Sequence, residues 1–497
     1  MHYGRVHHLF AHIIMIFHSV LDNAYLRVHR YGVIMPEITD FQTTEEGRQY
    51  ERDIMLVLQG EKKDYPSYFG GMKVASGNEF PVFSPIDPSI RFGIFQEPEE
   101  GIMVEAVSAA VKAFETWSKV PVDERVKYFE MALKVFQARR SYYAAAVTVS
   151  TGMVREDALQ EVDRLIEVVT KAIEDVKALG RKRPVGVWAV LSAHNSPFAS
   201  PVSYAVMAML AGNTVVMCPS KYCPTPVYMF YELMEKYGLP DGVLNLVVDR
   251  KDKSTEELAN DMRVMGIAAT GSGERLEDLM FLQVDDELKF INEIKGMNPA
   301  IVYRPSDMKA AVRDVLSSAF SYSGQKLFSC SKVIVTADDQ KKFMEVLTEQ
   351  MKDLKIADPV DDTTFSGPLI GEVAAKRFNE LSMEVMPFIV AKASPIIDAP
   401  GKNYVSPIAV SGLDEDNELN YMDSGLPILN IRVVDSLDSA FLELQDSECG
   451  LSAGLFSKDP KVIDRFKKEV EDKLLYINTS SRTLAPVVET DIGMFVN

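Results

Sequence analysis

The stretch Val185-Gly186-Val187-Trp188-Ala189-Val190-Leu191 decides the fold, together with Thr214-Val215-Val216-Met217 a helix length further on. A strand with one face in water alternates polar and apolar residues. A run without that alternation predicts a strand buried on both faces, as in a parallel sheet covered by helices. Between the two runs, residues 200–210 are small and apolar and predict a buried helix. Working outward, the pattern predicts a helix over 226–237, a strand over 243–248, a helix near 256–261 and a strand over 264–269. Strand–helix alternation at this spacing implies an α/β fold with a doubly wound parallel sheet and right-handed crossovers.

Upstream, Val104, Val107, Ala110, Val111 and Phe114 recur at helical spacing, and amphipathic stretches follow over 126–139, 141–149 and 155–179. Downstream, a second alternating block begins near Glu293. It has short strands at 300–302, 333–335, 428–434 and 455–456, and helices over 308–321, 338–351, 437–444 and 460–470. The expected organisation is a Rossmann-type domain over 35–294, a second α/β domain over 295–475 and a tail over 476–497. Two such blocks leave a crevice between them, where ligands bind.

The chain has 497 residues, 47% hydrophobic and 25% charged, which is ordinary globular composition and ample for a large core. A formal net charge of −19 without a long basic run argues against nucleic acid and against an anionic membrane surface. Four cysteines, none in a CxxC pair, argue against a disulfide framework and against zinc, and fit a reducing cytoplasm. Residues 1–34 differ from the rest, with six of the seven histidines: His2, His7, His8, His12, His18 and His29. This leader reads as an over-long translation start with Met35 as the true one; a targeting segment and a metal-binding tract are the alternatives.

Several segments, in order, resemble the aldehyde dehydrogenase superfamily, most closely its 1-pyrroline-5-carboxylate (glutamate semialdehyde) dehydrogenase branch. They are Pro184-Val185-Gly186-Val187, His194-Asn195-Ser196-Pro197-Phe198, Ala211-Gly212-Asn213-Thr214-Val215-Val216, Thr270-Gly271-Ser272, Glu293 with Asn298-Pro299-Ala300-Ile301-Val302, Gly367-Pro368-Leu369-Ile370, Gly450-Leu451-Ser452 and Tyr476-Ile477-Asn478. The resemblance spans about residues 90 to 480. It implies NAD or NADP as cofactor, a nucleophilic cysteine that forms a hemithioacetal with the aldehyde, an asparagine that stabilises the oxyanion and a glutamate that activates water.

This sequence departs from that pattern where the chemistry lies. The run Gly324-Gln325-Lys326-Leu327 ends in leucine where the family has its cysteine. Asn195 matches the oxyanion asparagine, or else caps a turn. Glu293 matches the general base, or else pairs with a lysine such as Lys295. Cys330 lies three residues past Leu327; extended chain would carry it ~10 Å away and onto the other face, as a buried structural cysteine. The family's ribose-binding Lys-Pro-Ser-Glu reads Cys218-Pro219-Ser220-Lys221, where Lys221 could favour a 2′-phosphate. A glycine-containing turn is replaced by Val248-Asp249-Arg250-Lys251-Asp252, whose aspartates repel phosphate. The second glycine after the pyrophosphate turn Gly271-Ser272 is Leu276. The nicotinamide-ribose motif reads Asp423-Ser424-Gly425-Leu426-Pro427. The oligomerisation arm is missing, with only Gly180-Arg181-Lys182-Arg183-Pro184 in its place, and the C-terminal tail is short. The expectation is a non-catalytic relative with no nicotinamide cofactor, a monomer or a non-family oligomer, binding a small metabolite or a protein partner. The alternatives are an NAD(P)-dependent aldehyde oxidoreductase of altered mechanism and a purely structural protein.

Overall fold

The computed structural model describes residues 44–59, 64–251, 253–272, 288–396, 399–447, 450–470, 473–484, 486–487 and 491–497; at 253–255, 272 and 294 it describes the backbone alone. The leader 1–34, Asp252 and Leu276 lie outside the described residues.

The apolar run over 185–191 forms the strand Val187–Leu191 in the interior of a seven-stranded sheet. Its side chains divide between two apolar layers. Trp188 and Val190 join one, while Val187, Ala189 and Leu191 join the other, and the next strand divides likewise, Val215 and Met217 against Val216 and Cys218. Every residue of both strands is buried, which is why neither carries an alternation. The strand starts two residues later than expected. Val185 and Gly186 instead donate their N–H groups to the Asn213 side-chain oxygen at 2.8 and 3.1 Å, and Gly186 has φ 145°.

In this sheet Val187–Leu191 lies between Thr214–Cys218 and Val264–Ser272. Leu244–Leu246 follows on one side and Lys289–Lys295 closes the other, all five parallel. The chain crosses from one side to the other at Val187–Leu191. The crevice beyond the carboxyl ends of Val187–Leu191 and Val264–Ser272 is therefore the topological switch point, the usual ligand position in such sheets. Two short strands, Ser67–Phe69 and Met72–Val74, extend the far edge antiparallel. They are too short and turn-bound for a periodicity to show.

The second sheet also has seven strands, ordered Ile389–Lys392, Ile408–Ser411, Ile428–Val434, Lys332–Thr336, Ala300–Val302, Ser452–Phe456 and Leu474–Ile477. All neighbours are parallel except the first pair. Sequence reading missed its first two strands and the helix Glu372–Glu384. A three-stranded sheet, Asp64–Tyr65, Arg91–Gln96 and Glu79–Phe83, flanks the molecule. The stretch expected as one helix over 155–179 is an α-helix, Arg155–Asp175, with a tighter turn, Val176–Leu179, at its end.

The end of the chain returns to the first domain. Pro184 pairs with Val496, and Arg183 and Asn497 exchange main-chain hydrogen bonds of 3.2 and 2.9 Å. The Phe495 ring packs 4.4 Å from that of Trp188. Among the described residues no helix is long and apolar enough to cross a membrane, and no group of three or more His, Cys, Asp or Glu side chains is placed to hold a metal ion.

Candidate active site

The loop before Leu327 is built from unusual backbone. Tyr322, Ser323 and Gly324 have φ of 49, 52 and 72°, three left-handed residues in a row. Only the last is glycine, and a Cβ there would meet the Leu426 carbonyl oxygen at 2.8 Å. Such backbone persists only when its surroundings over-determine it. Here Ser323 N–H donates to Ser366 Oγ and its hydroxyl to the Gly367 carbonyl, each at 2.6 Å. Gln325 accepts from Ile370 N–H at 2.8 Å. Asn298, itself at φ 46°, donates to the carbonyls of Leu327 at 2.9 Å and Ser329 at 3.2 Å. The loop is rigid, and the side chain it delivers is a leucine, 2% exposed.

Cys330 does not stand in for a thiolate. The segment after Lys326 is a turn, closed by Ser329 N–H on the Lys326 carbonyl at 3.2 Å, and not the extended chain expected. Cys330 is buried all the same, donates to the Lys332 carbonyl at 3.2 Å and packs with the second domain's core. Burial pushes its thiol up to about 12, so it stays protonated and unreactive.

Facing Leu327 is the helix Arg155–Asp175. Asp157, Gln160, Glu161 and Arg164 repeat at i, i+3, i+4 and i+7 and so line one face. Asp157 is fully buried. Its Oδ1 accepts from Lys326 Nζ at 2.8 Å and from Arg482 Nε at 2.9 Å. Burial alone would raise its pKa; the two cations outweigh that and hold it below the usual carboxylate range. Glu161 accepts from the N–H groups of Phe198 and Ala199 at 3.2 and 3.0 Å, at the start of the helix Ala199–Ala211, and from Ser196 Oγ at 3.2 Å. Burial outweighs these donors and raises its pKa to about 7. Asp157, Glu161 and Arg164 were missed in the sequence. Charged residues in an amphipathic helix read as its wet face. The available signal was their spacing, which follows the buried stripe of Ala158, Val162 and Leu165.

Asn195 follows the central strand and is 6% exposed, with its Oδ1 buried and unpartnered. Glu293, also 6% exposed, accepts from Ser200 Oγ at 3.2 Å and from Val487 N–H. It does not pair with Lys295, as the residues had suggested. Lys295 instead forms a buried ion pair with Asp423 of the second domain. Beside it, His194 is held neutral, its pKa lowered to about 4 by burial and by the Lys295 charge. Asp157, Gln160, Glu161, Asn195, Lys326 and Leu327 surround a cavity of about 20 Å³, closed by Phe328, Leu484 and Pro486. That is room for about one water molecule.

At the neighbouring strand ends, Cys218 is buried, and Ser192 N–H donates to its carbonyl at 3.2 Å. Lys221 Nζ donates to the Arg250 carbonyl at 3.1 Å. Ser220 Oγ accepts from Tyr222 N–H at 3.4 Å. Asp249 is 4% exposed and accepts from Lys251 N–H at 2.7 Å. Glu97 lies beside it, its pKa raised by burial and then by the Asp249 charge. Gly271 is buried in Val264–Ser272, opposite Ile294; the side chain of Ser272 lies outside the described residues.

The aldehyde dehydrogenase family profile matches residues 73–490. A 1-pyrroline-5-carboxylate dehydrogenase of Geobacillus sp. (strain WCH70) is 24% identical over 466 residues, covering 89% of this chain and 90% of that protein. An alpha-ketoglutarate semialdehyde dehydrogenase of Haloferax volcanii is 26% identical over 447 residues, covering 84% and 91%. Among solved structures, a 1-pyrroline-5-carboxylate dehydrogenase from Thermus with bound NAD superposes with a TM-score of 0.85 at 20% identity, covering 93% of this chain and 97% of that one. Proline utilization A from Bdellovibrio bacteriovorus gives 0.86 at 21% identity, covering 93% of this chain and 52% of that one. The chain belongs to the aldehyde dehydrogenase family.

Proposed function

We propose that this chain is a non-catalytic aldehyde dehydrogenase relative with a binding or regulatory role. The observation that carries the reading is Leu327, fixed on a rigid loop where the resemblance puts the nucleophile. A buried leucine cannot attack a carbonyl, and Cys330 packs away from the cleft with its proton held. The cavity beside Leu327, about 20 Å³, is far below the several hundred Å³ of an ordinary small-molecule site.

The residues at the strand ends do not fit a nicotinamide dinucleotide. Cys218 brings a weak donor where a ribose needs a strong one. By the resemblance, the turn with Asp249 would meet phosphate, and its carboxylate repels both phosphate and the neighbouring Glu97, whose pKa it raises after burial has already done so. Asp423 is neutralised by Lys295 and has no charge to spare for a ribose. These residues therefore give hydride transfer no cofactor to use.

The persistence of Asn195 and Glu293 beside one cleft supports a second reading, NAD(P)-dependent oxidation of a hydrated aldehyde without a thioester. Aldehyde turnover decides between the two. We expect no NADH or NADPH formation with glutamate semialdehyde or short aldehydes; turnover abolished by Glu293→Gln would establish the second reading. Partners are proposed on the same basis: a small metabolite or protein, with the chain a monomer or a non-family oligomer, since its own tail lies along Arg183 and Pro184. A reducing cytoplasm is the compartment that fits the sparse cysteines.

A further inference from the structure

Two buried carboxylates are joined by a line of two hydroxyls. Glu161 lies on the helix Arg155–Asp175 and Glu293 on the strand Lys289–Lys295. Between them stand Ser196, just before the helix Ala199–Ala211, and Ser200 in its first turn, both fully buried. Ser196 Oγ is 3.2 Å from each Glu161 oxygen. Ser200 Oγ is 2.9 Å from Ser196 Oγ and 3.2 Å from Glu293 Oε2. A hydroxyl has one proton to donate, and Ser200 has two acceptors for it. The line therefore has two arrangements, running in opposite senses. Glu161 Oε2 accepts from Phe198 and Ala199 N–H, which leaves Oε1 to carry a proton towards Ser196. Ser196 Oγ also accepts from Ser200 N–H at 3.2 Å, and its second lone pair serves either arrangement.

We propose that Glu161 and Glu293 hold one proton between them and pass it along Ser196 and Ser200. With the proton on Glu161, its O–H donates to Ser196, Ser196 donates to Ser200, and Ser200 donates to the Glu293 carboxylate. With the proton on Glu293, every O–H points the other way. In the passage each serine oxygen gives up one proton and receives one, so no other reactant is needed. Burial places the Glu161 pKa at about 7, which keeps the proton within the neutral range. The groups around the pair do not compete for it. Asp157 is matched by Lys326 and Arg482, and Arg164 is bonded to the Pro486 and Val487 carbonyls. Cys223 and Tyr322, which feel the Glu161 charge, are kept protonated by burial. Lys295 is paired with Asp423, His194 is neutral, and the helix Ala199–Ala211 carries no charged side chain. The pair thus brings one negative charge to the cleft, and a second appears only when the proton leaves. This goes beyond the binding role proposed above, because it holds whether or not any ligand or cofactor binds.

Infrared spectra of the full chain, titrated across neutral pH, test it. The band of a protonated carboxyl that Glu161→Gln removes belongs to Glu161. Ser200→Ala takes away the hydroxyl through which protonated Glu161 reaches the Glu293 carboxylate. The proposal expects it to lower the midpoint of that band by about one pH unit, a tenfold loss of proton affinity. Glu293→Gln should lower the midpoint as much in the parent, and by less than about half as much in the Ser200→Ala background, because the coupling runs through the hydroxyl. An unmoved midpoint in S200A overturns the proposal. So does an equal Glu293→Gln shift with and without Ser200, which charge repulsion alone would give. Absence of any band removed by Glu161→Gln overturns it too. Ser200→Ala deletes one oxygen and leaves both carboxylates in place, so its midpoint decides the matter even if the Glu293 variant does not fold.

Discussion

Leu327 and its neighbours separate what one substitution could repair from what it could not. The loop that presents residue 327 is intact, with Asn298, Ser323 and Gln325 all bonded. Leu327→Cys would therefore restore a thiol in an ordered loop. If the residues at the strand ends do not hold a dinucleotide, as proposed, that variant forms no NADH with any aldehyde; a rate assay checks it. Glu161 gives a second prediction at this scale. In the unfolded chain it loses its proton near 4.5, and in the fold near 7. Between those values the folded state holds the extra proton, so Glu161's contribution to stability falls as pH rises and is lost above about 7, by roughly 3 kcal/mol. Glu161→Gln does not titrate. Its urea stability relative to the parent should improve on going from about pH 5 to about pH 8. Identical pH profiles for the two proteins would contradict the assignment. The replaced cysteine was legible in the sequence because it sits inside a recognisable run. Glu161 was not, because nothing in a single helix says which side faces a cleft.

Among the elements, the helix Arg155–Asp175 carries most of the site's electrostatics. One face supplies Asp157 to the Lys326 loop, Glu161 to the start of the helix Ala199–Ala211 and Arg164 to the Pro486 carbonyl. Asp157→Ala would leave Lys326 and Arg482 buried without their shared carboxylate. The expected cost is about 3–5 kcal/mol, measured by denaturant unfolding, because breaking a buried pair strands charge. A cost near zero would mean the cations find water. The buried parallel strands were legible because burial on both faces writes itself as an apolar run. Lys332–Thr336, expected at 333–335, and Ala300–Val302, matched outright, are of this kind. The edge strand Ile389–Lys392 and its neighbour Ile408–Ser411 were not. With four residues each, they are too short to show a period. Leu244–Leu246 was over-read, since Val247 and Val248 are buried just past the strand, where Val247 N–H still reaches the Met217 carbonyl at 3.0 Å, and so carry a strand's composition.

At the scale of the whole molecule, two mainly parallel sheets meet at a cleft that the chain fills with itself. Lys295 binds Asp423 across the domains, Val487 binds Glu293, and the last residues lie on the first domain. Phe495 is fully buried against Trp188. Phe495→Ala should cost about 3–5 kcal/mol and shift the Trp188 fluorescence; an unchanged midpoint and spectrum would show that the tail is dispensable. The fold was legible from pattern and resemblance, whereas the tail's return was not, because its contacts join residues about three hundred positions apart. We propose that this family member does not bind a nicotinamide cofactor. Titration calorimetry of NAD and of NADP, each at millimolar concentration, tests it most directly. No saturable heat is expected from either. Saturable binding of one cofactor, weakened by substitution of Lys221 or Asp423, would contradict it and return the chain to the enzymes.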